Sequence, residues 1–278
     1  MRNTGPSRTA IAVAISRAAH QTVDQPPIFS DPLAIRIVGP KARAALAEGR
    51  ASRGAFAAVL RTVLAVRARV AEDALAEAVA AGVRQYVVLG AGLDTFALRN
   101  TDPSLTVFEV DHPNTQAWKR KRIEEEGLAT PPTLHFVPVD FTRDDLIAEL
   151  HRAGLRSDLP AFFSWLGVVM YLDPDAIRAT LKTIATLTGA TGGIVFDFIA
   201  PPGRSKLMMR LILWFRGRRV ARLGEPFRSF VAPHDVEKWL RDAGFTNVTI
   251  FGPQQLTDRY LQGRRLRVSP LTYVAVAR

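Results

Sequence analysis

The chain has 278 residues, 47% of them apolar, which suffices for one large or two small domains with a core that needs no staples. It has no cysteine, so disulfide frameworks, thiolate zinc sites and cysteine nucleophiles are excluded. Lys and Arg total 37 against 26 Asp and Glu, a net charge of +11 that favours anionic partners without naming one.

The apolar stretch Ala10 to Ile15 is closed by Arg17 with no small-residue cleavage site, unlike a secretory leader. The longest uncharged runs, Leu159 to Leu172 and Thr183 to Phe196, have 14 residues each, short of the roughly 20 that cross a bilayer. The expectation is a soluble, cytoplasmic protein without a transmembrane segment.

In chain order, Ala57 to Ala81 is rich in helix formers, lacks Gly and Pro, and meets a stop at Gly82. Gln85 to Leu89 reads as a buried strand that runs into Gly90-Ala-Gly92. A strand over Thr106 to Asp111 leads through Pro113 into a charged helix ending near Glu126. Leu134 to Asp140 is the third strand, with a helix from about Thr142 to His151. Ala161 to Gly167 is the fourth, and Asp173-Pro174 opens a helix with a cap residue before a first-turn proline. Gly193 to Ile199 is the fifth. Five strands alternating with helical links predict a doubly wound α/β sheet.

From Pro201 to Arg222 there are seven basic residues and no acidic one. This segment, extended to about residue 230, is the expected lid over an acceptor, with an outer amphipathic helix and a membrane-surface contact as alternatives. A helix over Pro233 to Ala243, with Gly244 as its stop, and strands over Asn247 to Phe251 and Leu271 to Ala277 complete a seven-stranded, mostly parallel sheet. The expected division is 1–82 as an N-terminal helical cap and 83–278 as the core with the lid insertion.

A strand followed by G-x-G lets a backbone approach a nucleotide-like ligand closely. The third glycine of the dinucleotide fingerprint is absent, because residue 95 is Thr95. Asp111 ends the second strand, where a carboxylate can accept both hydroxyls of a ribose. Asp140, with Phe141 beside it, ends the third, where acid and ring can hold an adenine. Two strand-end acids without a phosphate-gripping lysine suit S-adenosylmethionine as cofactor.

The strings GVRQYVVLGAGLDTFALR (Gly82 to Arg99), VFEVDHPNTQAWKRKRI (Val107 to Ile123), FVPVDF (Phe136 to Phe141) and SWLGVVMYL (Ser164 to Leu172) together resemble the leucine carboxyl methyltransferase family. With SRTAIAVAISRA (Ser7 to Ala18) and IFSDPLA (Ile28 to Ala34) they look like its bacterial branch of S-adenosylmethionine-dependent methyltransferases. The resemblance covers most of residues 7 to 200. It implies a class I methyltransferase fold in which Arg67 holds the methionine carboxylate, with Arg17 as a second basic candidate. Gly90 and Gly92 form the loop, Asp111 takes the ribose, and Asp140 with Phe141 takes the adenine. Many relatives carry a glutamate where this chain has Leu166, which leaves recognition of the ammonium group open, with backbone carbonyls near Gly90 or Ser164 as candidate substitutes.

Other residues have competing readings. Asp94 reads more readily as a helix cap than as a ligand contact. His112 and His234 read as local helix-start residues, and Tyr171 either lines the acceptor pocket or packs in the core. No metal set and no catalytic base is identified, so the catalytic residue is left unassigned. The expected reaction is O-methylation of a carboxylate or hydroxyl of a small, hydrophobic secondary metabolite. Carbon methylation, a catalytically silent binding module, and nucleic-acid methylation by a basic face are the alternatives. The segment Arg8 to His20 is a candidate cover for the cofactor or a point of exchange in a homo-oligomer.

Overall fold

The computed structural model describes residues 7–49, 54–141, 143–202 and 227–278. Four helices precede the sheet: α1 (Arg8–Val23), α2 (Ala34–Ile37), α3 (Pro40–Ala47) and α4 (Ala55–Ala80). Then β1 (Gln85–Leu89), α5 (Phe96–Arg99), β2 (Thr106–Asp111), α6 (Pro113–Glu125), β3 (Leu134–Pro138), α7 (Leu146–Arg152) and β4 (Ala161–Trp165) follow. A 3-10 turn (Val169–Tyr171), α8 (Pro174–Thr188), β5 (Gly193–Ile199), α9 (Pro233–Ala243), β6 (Val248–Phe251), α10 (Pro253–Tyr260) and β7 (Thr272–Ala277) complete the order.

The seven strands form one sheet in the order β3-β2-β1-β4-β5-β7-β6. All neighbours are parallel except that β7 runs antiparallel to both β5 and β6. The chain winds outward from β1 through β2 to β3, then returns to the other side of β1 for β4. This reversal leaves a crevice at the carboxyl ends of β1 and β4, where an open α/β sheet receives a ligand.

Strand residues alternate between two cores. Val87, Leu89, Phe108, Phe163, Trp165 and Phe196 point to the face covered by α7, α8 and α9. Tyr86, Val88, Val107, Phe162 and Val195 point to the opposite face, which α4 covers with Val66, Val70, Ala71 and Leu75. Each fully buried Val or Leu contributes about 1.5–3 kcal/mol, so packing on the sheet rather than intrinsic propensity holds this 26-residue helix in register. A third cluster joins Ala14 and Ala18 of α1 to Ile37 of α2, Leu93 and Ile123 of α6.

Three predicted boundaries shift. β3 ends at Pro138, and the Val139 N–H makes the last bond to the Asp111 carbonyl at the end of β2, so Asp140 lies beyond the strand. β4 stops at Trp165, and the chain turns at Gly167 with φ of +73°. The helix expected near Thr142 begins at Leu146, capped by the Asp145 carboxylate accepting from the N–H groups of Ile147 and Ala148. α10 is additional. Of the lid expected over 201–230, residues 203–226 lie outside the described residues.

Candidate active site

The crevice is a cavity of about 380 Å3, within the range of small-molecule sites. The loop after β1 forms one wall. Gly90 adopts φ of +68°, and a Cβ there would sit 2.5 Å from Val168 Cγ2, so the glycine is required both by conformation and by space. The N–H of Gly92 donates to Asp111 Oδ2 at 2.5 Å, and the N–H of His112 donates to Asp111 Oδ1 at 2.7 Å. Burial pushes the Asp111 carboxyl upward, opposed by these two donors. Each oxygen keeps a second lone-pair direction for a ligand hydroxyl.

α1 closes the cavity from above with Thr9, Ala10, Val13 and Arg17. Arg17 fastens it: Nη2 donates to Asp31 Oδ2 at 2.7 Å and Nη1 to Asp94 Oδ2 at 2.8 Å. Asp31, wholly buried, also accepts from Thr95 Oγ1 at 2.7 Å. Burial opposes ionisation of Asp94, but the charges of Arg17, Lys119 and Arg99 prevail and bring it down to about 2. Asp94 Oδ1 accepts from the Phe96 N–H at 2.7 Å at the start of α5, so this acid anchors α1 to the loop, and it lines the cavity as well.

α4 contributes Leu64 and Arg67, and the loop after β4 contributes Ser164, Leu166, Gly167 and Val168. Arg67 Nη1 donates to Asp197 Oδ2 at 2.9 Å. Phe141 and Tyr171 also line the cavity, and Tyr171 stacks on Phe227 with ring centroids 5.5 Å apart.

Of the residues singled out in the sequence, Arg17, Arg67, Gly90, Gly92, Asp111, Phe141 and Ser164 therefore converge on one cavity. Asp140 does not join the lining: its Oδ2 accepts from Arg143 Nη2 at 2.6 Å and Nε at 2.9 Å, outside the cavity. His112 lines the rim, but its Nδ1 accepts from the Asn114 N–H at the start of α6, which assigns the neutral-ring proton to Nε2 and makes it a donor there. The imidazole of His234 is 82% exposed on α9 and apart from the cavity. Sequence reasoning passed over Asp197 and Gly167. A lone acid within GIVFDFI was the available signal for the first; the second depends on where Arg67 lies.

Two lining residues on the α1 side, Thr9 and Arg17, also bury a polar atom that lacks a partner among the described residues, Oγ1 and Nε respectively. The open acceptor directions of Asp111 beside glycines that hold the walls apart fit a polar organic ligand. Among the described residues no group of three or more His, Cys, Asp or Glu is gathered as a metal set. No described helix is long and apolar enough to cross a membrane.

Comparison with known proteins places this geometry in context. Residues 10–185 match the leucine carboxyl methyltransferase family. The "Putative S-adenosyl-L-methionine-dependent methyltransferase YktD" of Bacillus subtilis (strain 168) is 28% identical over 97% of this chain and 96% of its own length. A protein of Saccharopolyspora erythraea with the same name, YktD apart, is 35% identical over 70% of this chain and 68% of its own. Among solved structures, a DUF574 family protein from Streptomyces avermitilis superimposes with a TM-score of 0.61 at 15% identity, covering 96% of both chains. A methyltransferase-titled structure from Thermobifida fusca gives 0.56 at 16% identity over 100% of this chain and 96% of the other. The structures share the class I methyltransferase fold, and the sequence matches carry the family: the chain belongs to the leucine carboxyl methyltransferase family of S-adenosylmethionine-dependent methyltransferases.

Proposed function

We propose that this chain binds S-adenosylmethionine in the cavity at the β1/β4 crevice and methylates an oxygen, carboxylate or hydroxyl, of a small apolar molecule. The observation that carries this reading is the convergence of Asp111, Arg67 and the Gly90–Gly92 backbone on one cavity beneath α1. Asp111 takes the ribose hydroxyls, and Arg67 takes the methionine carboxylate. Phe141 packs on the adenine, while Ser164 borders the methionine portion. Arg17, committed to Asp31 and Asp94, holds α1 over the cavity rather than meeting the cofactor with a free charge.

When bound, the cofactor supplies a methyl group made electrophilic by the attached sulfonium. The protein's task is to hold the acceptor atom in line, a matter of proximity and orientation. Leu64, Leu166, Val168 and Tyr171 provide an apolar wall for that acceptor. A carboxylate acceptor is ionised at neutral pH, since such groups titrate near about 4, and then no side chain has to remove a proton. His112, whose free ring nitrogen carries a proton, acts as a donor and not as a base in this scheme.

Calorimetric titration with S-adenosylmethionine and S-adenosylhomocysteine tests the reading. The wild-type chain is expected to bind both, and Asp111→Ala to lose about tenfold or more in affinity, the value of charge-assisted hydrogen bonds. Binding of neither by the wild type refutes the cofactor assignment. Unchanged binding by the variant refutes the ribose role.

A further inference from the structure

β5 is apolar and buried apart from one acid: in GIVFDFI, Asp197 is 2% exposed. A lone carboxylate in a sheet interior is costly unless donors meet both of its oxygens. Here they come from two distant elements. Arg67 Nη1, from α4, reaches Oδ2 at 2.9 Å, and the Gly167 N–H, from the turn after β4, reaches Oδ1 at 2.6 Å. The third side of the triangle closes too. Gly167 has φ of +73°, and a Cβ on it would fall 2.8 Å from Arg67 Nη2, so the guanidinium lies against the open face of this glycine.

The guanidinium is therefore fixed at one edge by a carboxylate and on one face by a backbone. A guanidinium has five N–H donors, and Asp197 takes one; among the described residues Arg67 makes no other hydrogen bond. Arg67 lines the cavity. With its charge balanced by Asp197, Arg67 recognises a ligand by the direction of its fork rather than as a free cation.

We infer that Asp197 is a positioning residue: by holding Arg67 against Gly167 it gives the cavity its preference for ligands that bear a carboxylate. The inference rests on the cofactor reading above, in which Arg67 meets the methionine carboxylate. Asp197 does not line the cavity and touches the ligand only through Arg67.

Two probes separate positioning from structural support. S-adenosylhomocysteine carries the amino-acid carboxylate, whereas methylthioadenosine has the same nucleoside and lacks it. In Asp197→Asn, affinity for S-adenosylhomocysteine is expected to fall about tenfold or more, while that for methylthioadenosine stays within about twofold. A parallel loss for both ligands, or no loss for either, overturns the inference and leaves the cofactor reading standing. Failure of the wild type to bind either nucleoside overturns both. Where circular dichroism shows Asp197→Asn to be unfolded, Asp197→Glu is titrated instead. It keeps the charge in the strand and displaces the guanidinium by a methylene, so the same selective loss is expected, and an unchanged preference refutes the inference.

Discussion

Behind the cavity, Glu109 of β2 and Lys119 of α6 form an ion pair of 2.5 Å in which both side chains are 1% exposed. Glu109 Oε1 has no partner among the described residues, and burial pushes this carboxyl upward against the pull of Lys119. Replacing Lys119 by methionine retains most of the stem and removes the cation. Without the cation, burial pushes Glu109 further upward, at the limit keeping it neutral in the folded variant, while in the unfolded chain the group titrates at its ordinary 4.5. Holding that proton costs about 1.36 kcal/mol for each pH unit above the unfolded value, hence about 3.4 kcal/mol at pH 7 and about 0.7 kcal/mol at pH 5. The first figure agrees with the roughly 3–5 kcal/mol lost when a buried pair is broken from one side.

The sign follows from proton binding. A carboxyl raised in the folded state holds a proton that the unfolded chain releases, so its stabilisation is complete at low pH and is lost as pH rises above 4.5. Urea unfolding of wild type and Lys119→Met at pH 5 and pH 7 measures this directly. The deficit of the variant is expected to grow between the two by at most about 2.7 kcal/mol, because the wild-type Glu109 is itself pushed upward and carries part of the same dependence, and the double variant Glu109→Gln/Lys119→Met, with nothing left to titrate, is expected to lose it. An equal deficit for Lys119→Met at both pH values refutes the buried-carboxylate argument. Lys119 also favours the ionised forms of Asp94 and Asp111, so the same variant reaches the cavity through its field.

Gly90→Ala introduces a Cβ 2.5 Å from Val168 Cγ2 at a φ of +68°, and is expected to lower both thermal stability and nucleoside affinity. Adding Val168→Ala should recover part of the stability by calorimetry; no recovery would mean that the clash is not the cause. His20 is 1% exposed, and its Nε2 accepts from the Ile28 N–H at 3.0 Å, so Nδ1 carries the proton toward Asp24 at 2.9 Å. Burial lowers its basicity below 6.5, so the unfolded chain takes up a proton that the folded one resists. Stability present above pH 6.5 is thus lost as pH falls below it, and His20→Gln is expected to flatten that part of the urea-midpoint profile.

The strands were legible where a feature is local. QYVVL is buried at all five positions and ends in glycine, so both its burial and its end could be read from composition. α10 was not, because PQQLTDRY is short and polar, and buries only Leu256 and Thr257. Its place is set by contacts with the sheet: Leu256 joins the core of α4, and Tyr260 Oη donates to Asp73 of α4 at 3.0 Å, 187 residues away in sequence. No window of a dozen residues contains that information.

The same division runs through the cavity. Gly90, Gly92 and Asp111 were legible because strand ends in a parallel sheet share an edge, so a sequence position at a strand terminus is already a spatial one. Asp140 shows the limit of adjacency. Phe141 faces the cavity, whereas the acid before it pairs with Arg143 three residues later. The +11 charge misleads in a comparable way. Both arginines of the cavity are balanced, Arg17 by Asp31 and Asp94, and Arg67 by Asp197. Buried pairs of this kind are screened little by salt and leave no free field to attract anions at large. Discrimination inside the cavity therefore rests on where the remaining N–H groups point, which is a property of α1, α4 and β5 packed together and not of the chain's charge balance.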